Sequence, residues 1–156
     1  MLPSQILGAG WGRLTNYGAN ENDAGLGVGI GYRGNEVKVD IYVYETLKPE
    51  WAQLPLKDRI QNELDRVPEI FNLMVKQGDY SDVKIKKPDV VRSGLIEFQH
   101  VEIDYIEKKS GALNSHYFLS SVNGKVFKVR ISRLVSSNPL LVMRALTEIT
   151  DGIPKK

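Results

Sequence analysis

Residues 25–44 carry a strict period of two, and that pattern constrains the fold more than any other feature of the chain. From Gly25 to Tyr32 every second residue is glycine, and Leu26, Val28, Ile30 and Tyr32 fill the places between. Successive residues of a strand point to opposite faces, so the four large side chains share one face and the glycines the other. Gly34-Asn35 supplies turn chemistry. The alternation then resumes, with Val37, Val39, Ile41 and Val43 on the inward face and Lys38, Asp40, Tyr42 and Tyr44 on the outward one. Two alternating runs around a short Gly-containing turn predict an antiparallel hairpin.

The rest of the chain is read against that hairpin. Residues 1–24 are broken up by Gly8, Gly10, Gly12 and Gly18. They predict an irregular lead-in with one short strand and Trp11 tucked against the sheet. From Leu56 the period lengthens to that of a helix, and Leu56, Ile60, Leu64, Val67, Phe71 and Met74 form one stripe. Pro55 suits its start and Gly78 its stop, whereas Pro68 inside the stripe predicts a kink or a division. After a polar stretch from Asp79 to Ser93, strands are expected over Leu95–Lys108, His116–Val122 and Val126–Leu134, the last two joined by an Asn123-Gly124 turn. Asn138, followed by Pro139, predicts the cap of a final helix that carries Leu140, Leu141, Met143, Ala145, Leu146 and Ile149 and ends at Asp151-Gly152. The expected fold class is α+β: an antiparallel sheet of about five to six strands packed with a long helix and a C-terminal helix.

Composition narrows the function classes. A chain of 156 residues predicts a single domain, 1–156, with the lead-in at 1–24 and the core at 25–150. The net charge of +2 is too small for a nucleic-acid binder. The short basic runs at Lys84, Lys86 and Lys87, at Lys108-Lys109 and at Lys155-Lys156 read as solvated loop charge. The absence of cysteine excludes disulfides, thiolate metal sites and thiol catalysis. No apolar run approaches the roughly 20 residues of a membrane span. The N-terminal residues lack the charged and apolar regions of a signal peptide. A cytoplasmic chain, and a periplasmic or secreted one whose leader has been removed, both fit.

In its layout of hairpin, long helix, three-stranded meander and C-terminal helix, the chain resembles the PsbP-like fold, an α/β/α sandwich. The segment from His116 to Ser132, with its Tyr117-Phe118 strand, its Asn123-Gly124 turn and the basic-apolar strand after it, carries the local likeness. The first hairpin, ending Val39-Asp40-Ile41-Tyr42-Val43-Tyr44, is similar to a group of uncharacterised, commonly exported bacterial proteins. The resemblance covers residues 25–150. It implies a binding or assembly role without chemistry, and it carries over no functional residue.

Four constellations are candidates for function. A strip formed by Gly25, Gly27, Gly29 and Gly31 would let a backbone or a flat ligand approach closely, as the floor of a small-ligand cleft, or else serves internal packing. The outward residues Tyr42 and Tyr44, with Lys128 and Arg130 if their strands are neighbours, would make an aromatic and basic docking surface, Tyr and Arg being favoured at interface hot spots. The alternative is a cross-strand network or a face covered by a helix. On the third predicted strand His100, Glu102 and Asp104 point the same way, and with His116 they offer an imidazole and carboxylate set for metal-assisted hydrolysis. The plainer reading is a solvated strand face. Ser115, His116 and Asp104 supply the residue types of a triad, with no nucleophile-elbow pattern around them. The expectation is a non-catalytic binding or assembly module with no cofactor, whose partner is an unidentified protein or small ligand. A metal-assisted hydrolase and a small-ligand carrier are the alternatives.

Overall fold

The computed structural model of the chain describes residues 3–16, 27–45 and 48–154, of which 9, 11–16 and 49 are described by backbone alone. The expected packing of Trp11, together with Gly25 and Leu26 of the glycine strand, falls outside those described parts.

The element order is β1 (Gln5–Ile6), β2 (Ala9–Asn16), β3 (Val28–Arg33), β4 (Val37–Tyr44), α1 (Leu56–Lys76), β5 (Tyr80–Ile85), β6 (Asp89–Ser93), β7 (Ile96–Glu107), β8 (Gly111–Val122), β9 (Lys125–Leu134) and α2 (Leu140–Asp151). Nine strands form one sheet in the order β1-β2-β3-β4-β9-β8-β7-β5, with β6 also paired to β7. Every pairing is antiparallel. The architecture is therefore α+β with an antiparallel sheet and two helices, as expected, but the sheet is larger than five to six strands. The extra strands come from the lead-in, which supplies β1 and β2, and from the polar stretch, which supplies β5 and β6. These last two lie one after the other along the same side of β7.

Two hairpin systems meet at the β4–β9 pairing, where Ile41 faces Val129 and Tyr42 faces Lys128. Alternation assigns the faces. Val37, Val39, Ile41, Phe98, Phe118, Phe127, Val129 and Ile131 bury one face against Val142, Ala145, Leu146 and Ile149 of α2. Val101, Ile103, Tyr105, Leu113, Tyr117 and Leu119 bury the opposite face against Leu64, Val67 and Phe71 of α1. The sheet thus lies between the two helices. Burial of each large apolar side chain contributes about 1.5–3 kcal/mol, so two opposed cores hold this wide sheet.

Pro68 does not divide α1, which runs unbroken through it. The buried stripe continues on both sides of the proline as Leu64, Val67 and Phe71, and docking of that stripe outweighs the one backbone hydrogen bond a proline removes. At the other helix Asn138 acts as expected, its Oδ1 accepting from the Leu140 N–H at 3.0 Å.

Candidate functional site

The expected Tyr42/Tyr44 surface lies on the α1 side, where Tyr44 is buried and Tyr42, Lys128 and Arg130 are half-buried. Tyr44 is only 2% exposed, and burial, followed by the nearby Glu63, pushes its phenol pKa well up. Pairing of β4 with β9 brings the four residues together as predicted: Tyr42 stands opposite Lys128 and Asp40 opposite Arg130. Lys128 Nζ sits 5.9 Å from the Tyr42 ring centre and 5.6 Å from that of Tyr117, and the Arg130 guanidinium sits 5.2 Å from the Tyr117 ring. Arg130 Nη2 donates to Tyr105 Oη at 3.1 Å, and Tyr105, Ser115 and Ser132 continue as hydroxyl contacts of 2.9 and 2.7 Å. Glu63 of α1 completes this layer at 3.8 Å from Lys128 Nζ and 3.7 Å from Arg66. Burial lowers the Lys128 pKa while the Glu63 charge opposes that shift. These residues form a polar layer between helix and sheet rather than an outward docking surface. Sequence reading missed Glu63, although it lies four residues before Val67 and hence on the apolar stripe.

The glycine strip also faces α1, and its described part is filled from within. Gly31 sits beneath Arg33, whose guanidinium would lie 3.0 Å from a Cβ added there. That guanidinium donates to Val39 O at 3.1 Å and pairs with Asp40 at 2.6 Å. Gly29 is buried opposite Tyr42. Gly27 has φ +68°, and a Cβ there would reach 1.8 Å from Val43 O, so glycine is required for the close approach of β3 to the end of β4. Among the described residues, Gly27 and Gly31 of the strip serve internal packing.

His100, Glu102, Asp104 and His116 do come together, beside the α2 core. They form a hydrogen-bonded chain. His100 Nδ1 meets Asp89 Oδ1 at 2.5 Å, His100 Nε2 meets His116 Nδ1 at 2.8 Å, and His116 Nε2 meets Asn114 Oδ1 at 2.7 Å. Asn114 Nδ2 donates to Glu102 Oε1 at 2.9 Å and to Asp104 Oδ1 at 2.8 Å. Lys86 Nζ reaches Glu102 Oε1 at 2.7 Å, and Arg133 Nε donates to Asn114 Oδ1 at 3.1 Å. Phe118 stacks on His100 at 4.6 Å between ring centres and closes the apolar side. Burial, and then the charge of His100, push the His116 pKa down to about 4. Burial works against charge on Glu102, but hydrogen bonds from Lys86 and Asn114 outweigh it and leave that carboxyl below its ordinary range. All four imidazole nitrogens are engaged in this chain, which leaves no ring lone pair turned to a common centre. Among the described residues no group of three or more His, Cys, Asp or Glu is arranged to hold a metal ion. The triad reading fails as well, because Ser115 faces α1 and is bonded to Tyr105 and Ser132, on the opposite side of β8 from His116.

A cleft that no motif announced lies on the α2 side. Its volume is about 340 Å³, and its lining includes Ile6, Leu7, Tyr32, Val37, Val39 and Leu141, with the backbone of Gly34–Glu36 at the rim. Two tethers hold its N-terminal wall. Tyr32 Oη donates to Pro3 O at 2.6 Å, and the Leu7 N–H donates to Glu148 Oε2 of α2 at 2.8 Å.

No family model matches the chain, and no curated protein matches it. Among solved structures it is similar to a Pseudomonas aeruginosa protein of unknown function suggested to be a regulator. The two share 13% identity at a TM-score of 0.42, over 80% of this chain and 78% of the other. No described helix is long and apolar enough to cross a membrane.

Proposed function

We propose that this chain is a non-catalytic binding module, and that it takes a small ligand with both apolar and polar groups in the cleft between the β3–β4 turn, the β1–β2 turn and α2. The observation that carries the reading is the contrast between this cleft and the polar clusters. The side chains with catalytic or docking chemistry are bonded to one another beneath α1 or along β7 and β8. The cleft, at about 340 Å³, falls within the roughly 300–1,000 Å³ of small-molecule sites. Its lining combines the apolar residues Leu7, Val37 and Leu141 with the polar residues Asn35 and Glu36. The proposal extends to a PsbP-like layout for the chain, with a helix on each face of the sheet.

Native mass spectrometry of the full chain, purified without denaturant, tests the proposal. A non-covalent adduct of small-molecule mass is expected, and it should be lost both on denaturation and in Leu141→Trp, which fills the cleft from α2. Glu36→Trp at the exposed rim serves as the second variant should Leu141→Trp lower the melting temperature. A bare mass for the wild-type chain, or an adduct retained by both folded variants, would overturn the proposal.

A further inference from the structure

The hydrogen bonds along β7 and β8 determine how many protons the two histidines carry. Carboxylate oxygens only accept, so the Asn114 amide must turn Nδ2 toward Glu102 and Asp104. Its Oδ1 then faces His116 Nε2 and Arg133 Nε, both at hydrogen-bond distance. An amide oxygen cannot donate, so His116 Nε2 carries a proton. At the other end of the chain Asp89 is an exposed carboxylate, and a hydrogen bond at the 2.5 Å contact places a proton on His100 Nδ1. Between the rings, His100 Nε2 and His116 Nδ1 lie 2.8 Å apart with ring planes 14° apart, which is the geometry of one N–H···N bond. Three N–H hydrogen bonds along this chain require three ring protons, one more than two neutral imidazoles carry.

We infer that His100 and His116 share a single proton, and that this shared proton is a pH-sensitive latch tying edge strand β6 and the loop into α2 onto the sheet. Asp89 is the β6 end of the chain. Arg133 is the other end, and its Nη1 donates to Leu134 O, Val135 O and Ser137 O at 3.1, 3.3 and 3.0 Å in the loop that leads into α2. The charged groups facing the pair are Lys86 from the β5–β6 connection, Asp89 from β6, Glu102 and Asp104 from β7, and Arg133 from β9. A fourth ring proton would set two N–H groups against each other at the central contact. Loss of the shared proton would leave two ring protons for three hydrogen bonds, and one bond would have to break. The chain of bonds from Asp89 to Arg133 is unbroken only with one charge on the pair, and it is interrupted on either side of that state. The depression of His116 to about 4 fits strong resistance to the fourth proton.

The test is a pH titration of the full chain with nitrogen-15 spectra of the imidazoles and amide hydrogen exchange recorded together. At neutral pH the spectra should show protonated His100 Nδ1 and His116 Nε2, and a through-bond coupling between the two facing nitrogens. Acidification past about 4 should abolish that coupling, with amides of β6 and of residues 134–137 exchanging at least tenfold faster relative to those of β4 and β9. Two neutral, uncoupled rings at neutral pH would overturn the shared proton. Uniform exchange across the sheet after the coupling is lost would overturn the latch.

Discussion

At the residue scale, His116 and Glu102 both make the folded state sensitive to acid. The folded His116 pKa of about 4 lies below its ordinary 6.5. As pH falls through that interval the unfolded chain takes up a proton that the folded one refuses. Stability is thus lost on acidification, by up to about 3 kcal/mol from this residue. Glu102 has a folded pKa below the carboxylate range, so its contribution is full above that range and is lost as pH falls through the folded value. It carries the decline further into acid. Urea unfolding at a series of pH values should show stability falling between pH 6.5 and 4, and a flatter profile over that interval for His116→Gln. An identical profile for the two proteins would contradict this assignment. The sequence did place His100, Glu102 and Asp104 on one strand face. It hid the partners Asp89, Asn114 and Arg133, because pairing across β6, β8 and β9 depends on register that no local pattern specifies.

At the scale of elements, α1 shows how an apolar stripe can conceal a polar one. Glu63 is 2% exposed and faces Lys128, itself enclosed by Tyr42 and Tyr117. Removing one partner of such a pair leaves an uncompensated buried charge. Glu63→Ala is expected to cost about 3–5 kcal/mol. The double variant Glu63→Ala/Lys128→Leu should recover most of that loss, because both charges are then gone. Urea denaturation of the three proteins measures the difference, and a double variant as unstable as Glu63→Ala alone would count against the pairing. The hairpin β3–β4 was readable because its alternation is unbroken and one face is apolar. Strands β5 and β6 were not: a register shift between Ser81 and Lys84, with Asp82 at φ +50°, breaks the period of β5. Both are short, charged edge strands, the form edges commonly take to avoid unwanted pairing.

For the whole molecule, sheet class and helix placement were legible, whereas the proposed binding cleft was not. Layering follows from two apolar stripes of helical period and a sheet with two buried faces. The direction in which each strand face points does not follow, since β4 and β9 bury side chains on both faces here. The cleft is harder still to read, because Ile6, Tyr32, Val39 and Leu141 are far apart in sequence and each looks like ordinary core. Ligands are proposed to enter at this cleft and not at the tyrosine face beside α1. The most direct test of that proposal is an amide chemical-shift map of the full chain titrated with cyclohexanol as a small apolar probe. Saturable shifts confined to residues 6–7, 32–39 and 141, and absent in Leu141→Trp, are the expected result. Shifts centred on Tyr42, Tyr44 and α1, or none that saturate, would contradict it.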